Sequence, residues 1–119
     1  MRLFWAALNM IYALESHPLP EGDVYHLPGY SNDATCRKFI KTLLQAMLNA
    51  PDETLAIKAI HKAVHKKNKL KLPGEISSTK RADLIPAMNA IKKKHNKIER
   101  HFCSGLGVDL QYQIGRAHV

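Results

Sequence analysis

The chain has 119 residues, 45% of them hydrophobic, and 18 Lys and Arg against 10 Asp and Glu, a formal net charge of +8. That apolar share excludes wholesale disorder, the length suits one small domain or a piece of a larger one, and no apolar run approaches the roughly 20 residues of a membrane span. Two cysteines, Cys36 and Cys103, are too few for a disulfide framework and fit a reducing cytoplasm.

Leu3–Glu15 reads as a buried or half-buried helix, with Leu3, Ala7, Met10, Ile11 and Leu14 near helical spacing. The same segment is too short for a signal peptide and lacks the small-residue cleavage site that would follow one. His17–Tyr30 is a loop punctuated by Pro18, Pro20, Gly22, Pro28 and Gly29. Ser31, Asn32 and Asp33 offer caps for the strongest helix, Ala34–Ala50, whose apolar stripe is Phe39, Ile40, Leu43, Leu44, Met47 and Leu48. Pro51 suits the first turn of a further helix, with Asp52 and Glu53 near its positive end, running through Leu55, Ile57, Ile60 and Val64 to about Lys67.

Asn68–Glu75 is a lysine-rich connector ending in Pro73-Gly74. Ser77–Thr79 can cap another helix, with Leu84, Ile85, Met88 and Ile91 as its apolar side; Pro86 requires it either to start near Asp83 or to kink. A helical run resumes through Ile98 and Phe102 and ends around Gly105–Gly107. No alternation of period two is present, so the expected fold is all-α, with four or five helices.

The charge is unevenly placed. Residues 58–101 hold 13 of the 18 cations and only Glu75, Asp83 and Glu99, a net of +10, which leaves −2 for the rest. Clustered Lys and Arg gain free energy by releasing counterions from phosphates, so nucleic acid is the expected partner, through Lys58, Lys62, Lys66, Lys67, Lys92, Lys93 and Lys94. The competing explanation is a solvated surface that keeps a small domain in solution.

Residues 114–119, Ile-Gly-Arg-Ala-His-Val, are the translation of ATC GGA AGA GCA CAC GTC, the start of a widely used sequencing adapter. They are expected to be an artefact, with a single helical domain or domain fragment over residues 1–113.

Within the main helix, Arg37-x-x-x-Lys41 sets a guanidinium and an ammonium one turn apart, a sensible clamp for a triphosphate. Gln45 and Asn49 continue the row at the same spacing. The spacing equally fits the polar side of any amphipathic helix. Arg-x3-Lys followed by an apolar helix resembles motif B of family A DNA polymerases and single-subunit phage RNA polymerases. The resemblance implies that Arg37 and Lys41 hold the phosphates of the incoming nucleotide, with Gln45 and Asn49 facing it. Those enzymes usually have an aromatic residue and then Gly eight and nine positions after the lysine. Asn49 and Ala50 stand there in this chain, and Gln45 takes the earlier aromatic position of the DNA enzymes.

The stretches Tyr12-Ala13-Leu14-Glu15, Asp23-Val24-Tyr25-His26-Leu27-Pro28-Gly29-Tyr30 and Phe102-Cys103-Ser104-Gly105 are similar to blocks of uncharacterised polymerase-like proteins of phages and mobile elements. The resemblance covers roughly Asn9–Gln113. It implies a fingers-like part of a nucleotidyltransferase, binding nucleic acid and a nucleoside triphosphate. It further implies Mg2+ ions held by carboxylates of motifs A and C, which belong to the longer parent and not to this chain. This chain alone is expected to be inactive. The alternative is a small, non-catalytic, basic helical protein that binds nucleic acid.

Four further features carry less. Asp23 and Tyr25 either approach the nucleotide or form a turn in which Asp23 bonds local backbone and Tyr25 packs. His61 and His65 have a metal-binding spacing, but Lys62 stands where a metalloprotease has Glu, and the surrounding lysines repel a cation. Cys103 has His101 two positions away, off its side of a helix, so it reads as a packed thiol. Gly105-x-Gly107 lacks the Lys-Ser/Thr of a phosphate loop and reads as a helix end.

Overall fold

The computed structural model describes residues 8, 10–20, 22–65 and 70–103. Among these the chain is helical and holds no strand, as the periodicity requires. The first helix, α1, includes residues 8 and 10–14. It is followed by α2 (Ala34–Asn49), α3 (Glu53–His65), α4 (Arg81–Lys94) and a 3-10 helix over Asn96–His101.

The central element is α2, because its apolar positions are the most regular. Cys36, Phe39, Ile40, Leu43, Leu44, Met47 and Leu48 recur every three or four residues and are all buried. Asp33 caps it, its Oδ1 accepting from the Cys36 amide at 2.7 Å, while the Ser31 hydroxyl donates to Oδ2. Against this stripe pack Leu8, Ile11 and Tyr12 of α1, Ala56 and Ile60 of α3, and Leu84, Ala87, Met88 and Ile91 of α4. At typical costs, truncating a fully buried side chain such as Phe39 to Ala removes about 3–5 kcal/mol.

The structure departs from the sequence expectation within α1, at the start of α3 and after α4. In α1 the buried positions are Leu8, Ile11 and Tyr12, whereas Leu14 is 64% exposed. Leu3 and Ala7 lie outside the described residues. Pro51 precedes the α3 cap instead of entering its first turn: Asp52 Oδ1 accepts from the Leu55 amide at 2.8 Å. Helix α4 starts at Arg81 and carries Pro86 inside it. After Lys94 the α-helix does not resume. His95 leaves helical geometry at φ −104, ψ 40, and the 3-10 turn gives way to extended backbone at Phe102. The Cys103 amide then donates to the Met47 carbonyl at 2.5 Å. The glycines at 105 and 107 and the tail 114–119 lie outside the described residues.

The loop before α2 is part of the core. Val24, Tyr25 and Leu27 are buried. Leu27-Pro28-Gly29-Tyr30 closes with the Tyr30 amide on the Leu27 carbonyl, and Gly29 supplies the φ of +85 that the third position of such a turn needs. Two side chains from the end of α4 fasten this loop. Lys94 Nζ donates to the carbonyls of Asp23, at 2.7 Å, and of His26. His95 Nε2 donates to the Val24 carbonyl at 3.0 Å.

Candidate functional site

Arg37 and Lys41 meet at the loop residue Tyr25. The Arg37 guanidinium lies 5.2 Å and the Lys41 ammonium 5.4 Å from the centroid of the Tyr25 ring. Arg37 Nε also donates to Asp23 Oδ2 at 2.6 Å, and the Tyr25 amide donates to Asp23 Oδ1 at 3.0 Å. Asp23 and Tyr25 thus form a local turn and also stand beside the cation pair of α2. Burial opposes ionisation of Asp23, but the Tyr25 amide and Arg37 together hold its carboxyl below the usual range. Burial pushes the Tyr25 phenol up. Lys41 has no carboxylate partner among the described residues.

The row that begins at Arg37 and Lys41 divides. Four residues advance an α-helix by one turn and about 40°, so three such steps rotate the row by about 120°. Gln45 and Asn49 therefore leave Tyr25 and line a groove of about 360 Å³ between α2 and α3, with Thr42, Leu55 and Ile60. Asn49 Oδ1 is buried there without a hydrogen-bond partner among the described residues. Lys38 faces elsewhere again, beside Thr35, Leu70 and Lys71.

The cations of the basic half sort into two groups. Lys92 stands 3.8 Å from Glu53, Arg81 bonds Glu53 and Thr54, Arg100 bonds Glu15, and Lys94 holds the loop carbonyls. Lys94 is therefore a fastening for the loop and not an uncommitted phosphate contact. By contrast, Lys58, Lys62 and Lys93 are exposed and carry no ion pair among the described residues. Lys66 and Lys67 lie outside the described residues.

His61 and His65 bring their ring centroids to 4.4 Å, and His61 Nδ1 shares a hydrogen bond with the buried hydroxyl of Thr79 at 2.7 Å. Cys103 and His101 do not act together. Burial raises the Cys103 thiol, and His101 Nε2 donates to Glu15 at 2.6 Å. Among the described residues no three His, Cys, Asp or Glu side chains form a metal set. None of the described helices is long and apolar enough to cross a membrane.

Sequence reasoning missed His95 and Glu15, and it read Lys94 only as a phosphate contact. Each acts on residues about 70 or more positions away, a separation that no local spacing encodes. No family model matches the chain, and neither a curated protein nor a solved structure does.

Proposed function

We propose that this chain is the fingers-like, nucleotide- and nucleic-acid-facing part of a polymerase-like nucleotidyltransferase. Arg37 and Lys41 hold the triphosphate, and the exposed lysines of the basic half meet backbone phosphates. The observation that carries this reading is the convergence of Arg37 and Lys41 on one buried aromatic ring, with Lys41 free of any described carboxylate. Nucleotidyl transfer develops charge on the triphosphate, and cations fixed on a rigid helix stabilise it without reorganising. The described residues do not fit a two-metal carboxylate site, so no step is assigned to a metal here.

The test is titration of the protein with a nucleoside triphosphate. Lys41→Ala weakens binding about tenfold, the loss of one charge-assisted contact, while Lys38→Ala changes it little. Equal losses in the two variants show that net charge alone is at work and overturn the assignment.

A second reading, a non-catalytic basic protein that binds nucleic acid, is favoured by the Asp23–Arg37 pair, which already engages the guanidinium Nε. It requires single-stranded DNA to bind with steep salt dependence while triphosphate does not bind at Lys41.

A further inference from the structure

A second cationic cluster lies away from Arg37 and Lys41. The segment leading into α4 runs beside the exposed histidine row of α3, and between them is a cleft of about 310 Å³. One wall is His61 and His65; the other is Ser77, Ser78, Thr79 and Lys80. Besides Leu72, the described lining offers two imidazoles, an ammonium and three hydroxyls, with no carboxylate among the described residues. The Asp83 carboxylate accepts from the Ser78 hydroxyl, and the Ser78 oxygen in turn accepts from the Lys80 amide at 3.1 Å. The Lys80 ammonium and the His65 ring have no hydrogen-bond or ion-pair partner among the described residues. Lys58 and Lys62 flank the histidines on α3, both exposed and unpaired.

From this geometry we infer that the cleft binds a phosphate group, held by Lys80, His65 and His61. Thr79 is 6% exposed, so it pins one edge of the His61 ring in place. In the tautomer in which the Thr79 hydroxyl donates to Nδ1, the ring proton sits on Nε2. That nitrogen is then a donor suited to an anion and has no lone pair for a metal. The lysines on both walls work in the same direction, since they attract phosphate and repel a cation. The pinned His61 ring supplies one donor to a phosphate oxygen, and the exposed Lys80 and His65 can reach the others, whereas the Ser78 and Thr79 protons are already committed to Asp83 and His61.

The inference deepens the polyanion part of the function proposed above and does not depend on Arg37 or Lys41. The phosphate is either a backbone phosphate of nucleic acid or a free one, and the two share this chemistry.

The experiment is a pair of amide-shift titrations of the intact chain by nuclear magnetic resonance, one with inorganic phosphate and one with a short oligothymidylate. With inorganic phosphate, saturable shifts confined to His61, His65, Thr79 and Lys80 are expected. Lys80→Ala and His65→Ala each weaken binding roughly fivefold, while Lys38→Ala leaves it unchanged. Both side chains are exposed, so neither change threatens the core. Tighter binding of the oligonucleotide through the same residues identifies a backbone phosphate; equal affinity identifies a free one. Shifts spread evenly over all exposed lysines overturn the site. So does zinc that binds at His61 and His65 when phosphate does not. Lys41→Ala tested alongside separates this site from the triphosphate reading: phosphate binding at the cleft survives that change.

Discussion

The Tyr12 phenol donates a hydrogen bond of 2.5 Å to Nδ1 of His95, across 83 residues of sequence. The roles follow from the other edge of the ring. The Val24 carbonyl can only accept, so Nε2 carries the proton and Nδ1 the lone pair. One buried imidazole thereby ties α1, the loop before α2 and the end of α4 together. Burial drives the His95 pKa down to about 4 and that of Tyr12 up to about 12, so both groups are neutral at physiological pH.

Acid should loosen this tie. His95 titrates near 6.5 when unfolded and near 4 when folded, so between those values the unfolded chain binds more protons. Its contribution is complete above about pH 6.5 and is lost as pH falls towards 4, amounting to about 3 kcal/mol. The lowered carboxyls of Glu15, Asp23 and Asp33 act in the same sense, but below their ordinary values of 4.5 and 3.8. Urea unfolding at pH 7, 5 and 4 should show a fall in stability that begins above the carboxylate range. His95→Gln should be less stable at pH 7 and should flatten that part of the curve. An unchanged slope in the variant assigns the acid sensitivity elsewhere.

Adjacent lysines should separate sharply. Lys94 gives its ammonium to two loop carbonyls, whereas Lys93 is exposed and unpaired. Hydrogen bonds from a charged donor are typically worth 1.5–3 kcal/mol, and bare surface changes about 0.5 kcal/mol or less. Lys94→Met should therefore cost about 2 kcal/mol in chemical unfolding, and Lys93→Met almost nothing. If the two variants unfold together, the Lys94 contacts do not hold the loop.

The helices were legible because their evidence is local. The Phe39-to-Leu48 stripe, the Asp33 cap and the break at Pro18 all act within a few residues, and each stands where the sequence puts it. Lys94 was not legible in this way. It belongs to a Lys-Lys-Lys run whose members are identical in sequence, and only tertiary packing gives one of them carbonyls to bind. The row from Arg37 to Asn49 divides for a geometric reason, since repeated steps of four drift around a helix. The convergence of Arg37, Lys41 and Tyr25 depended on a loop folding back onto α2. The sequence marked Asp23 and Tyr25 in that loop as able to approach the nucleotide, but no local spacing sets their distance from Arg37 and Lys41.

A cap offers a stabilising change. At the end of α1 the His17 amide bonds the Tyr12 carbonyl and the Ser16 amide bonds that of Ala13, the two bonds of a Schellman motif. Ser16 takes the left-handed position at φ 58, usually given to Gly. Relief of the Cβ clash outweighs the entropy that Gly adds to the unfolded chain, so Ser16→Gly should stabilise by about 0.5–1 kcal/mol. Thermal unfolding should register a rise of a few degrees. A lower melting temperature shows that the serine side chain contributes more than the strain costs.

Asp23 decides how much of Arg37 a phosphate can reach. Its carboxylate takes the guanidinium Nε, and a triphosphate must either displace it or use the remaining donors of the fork. Asp23→Asn keeps an oxygen for the Tyr25 amide, and with it the turn, but removes the competing charge. In titrations with a nucleoside triphosphate this variant should bind more tightly than the parent protein, by roughly threefold to fivefold, the worth of a partly exposed ion pair. Combining it with Arg37→Ala should cancel the gain, because the released guanidinium is its source. Arg37→Ala alone should weaken binding less than Lys41→Ala, since Arg37 gives up an existing partner to reach the phosphate and Lys41 does not. If Asp23→Asn tightens binding equally with and without Arg37, the effect is one of net charge, and Arg37 is a structural partner of the loop instead of a phosphate ligand.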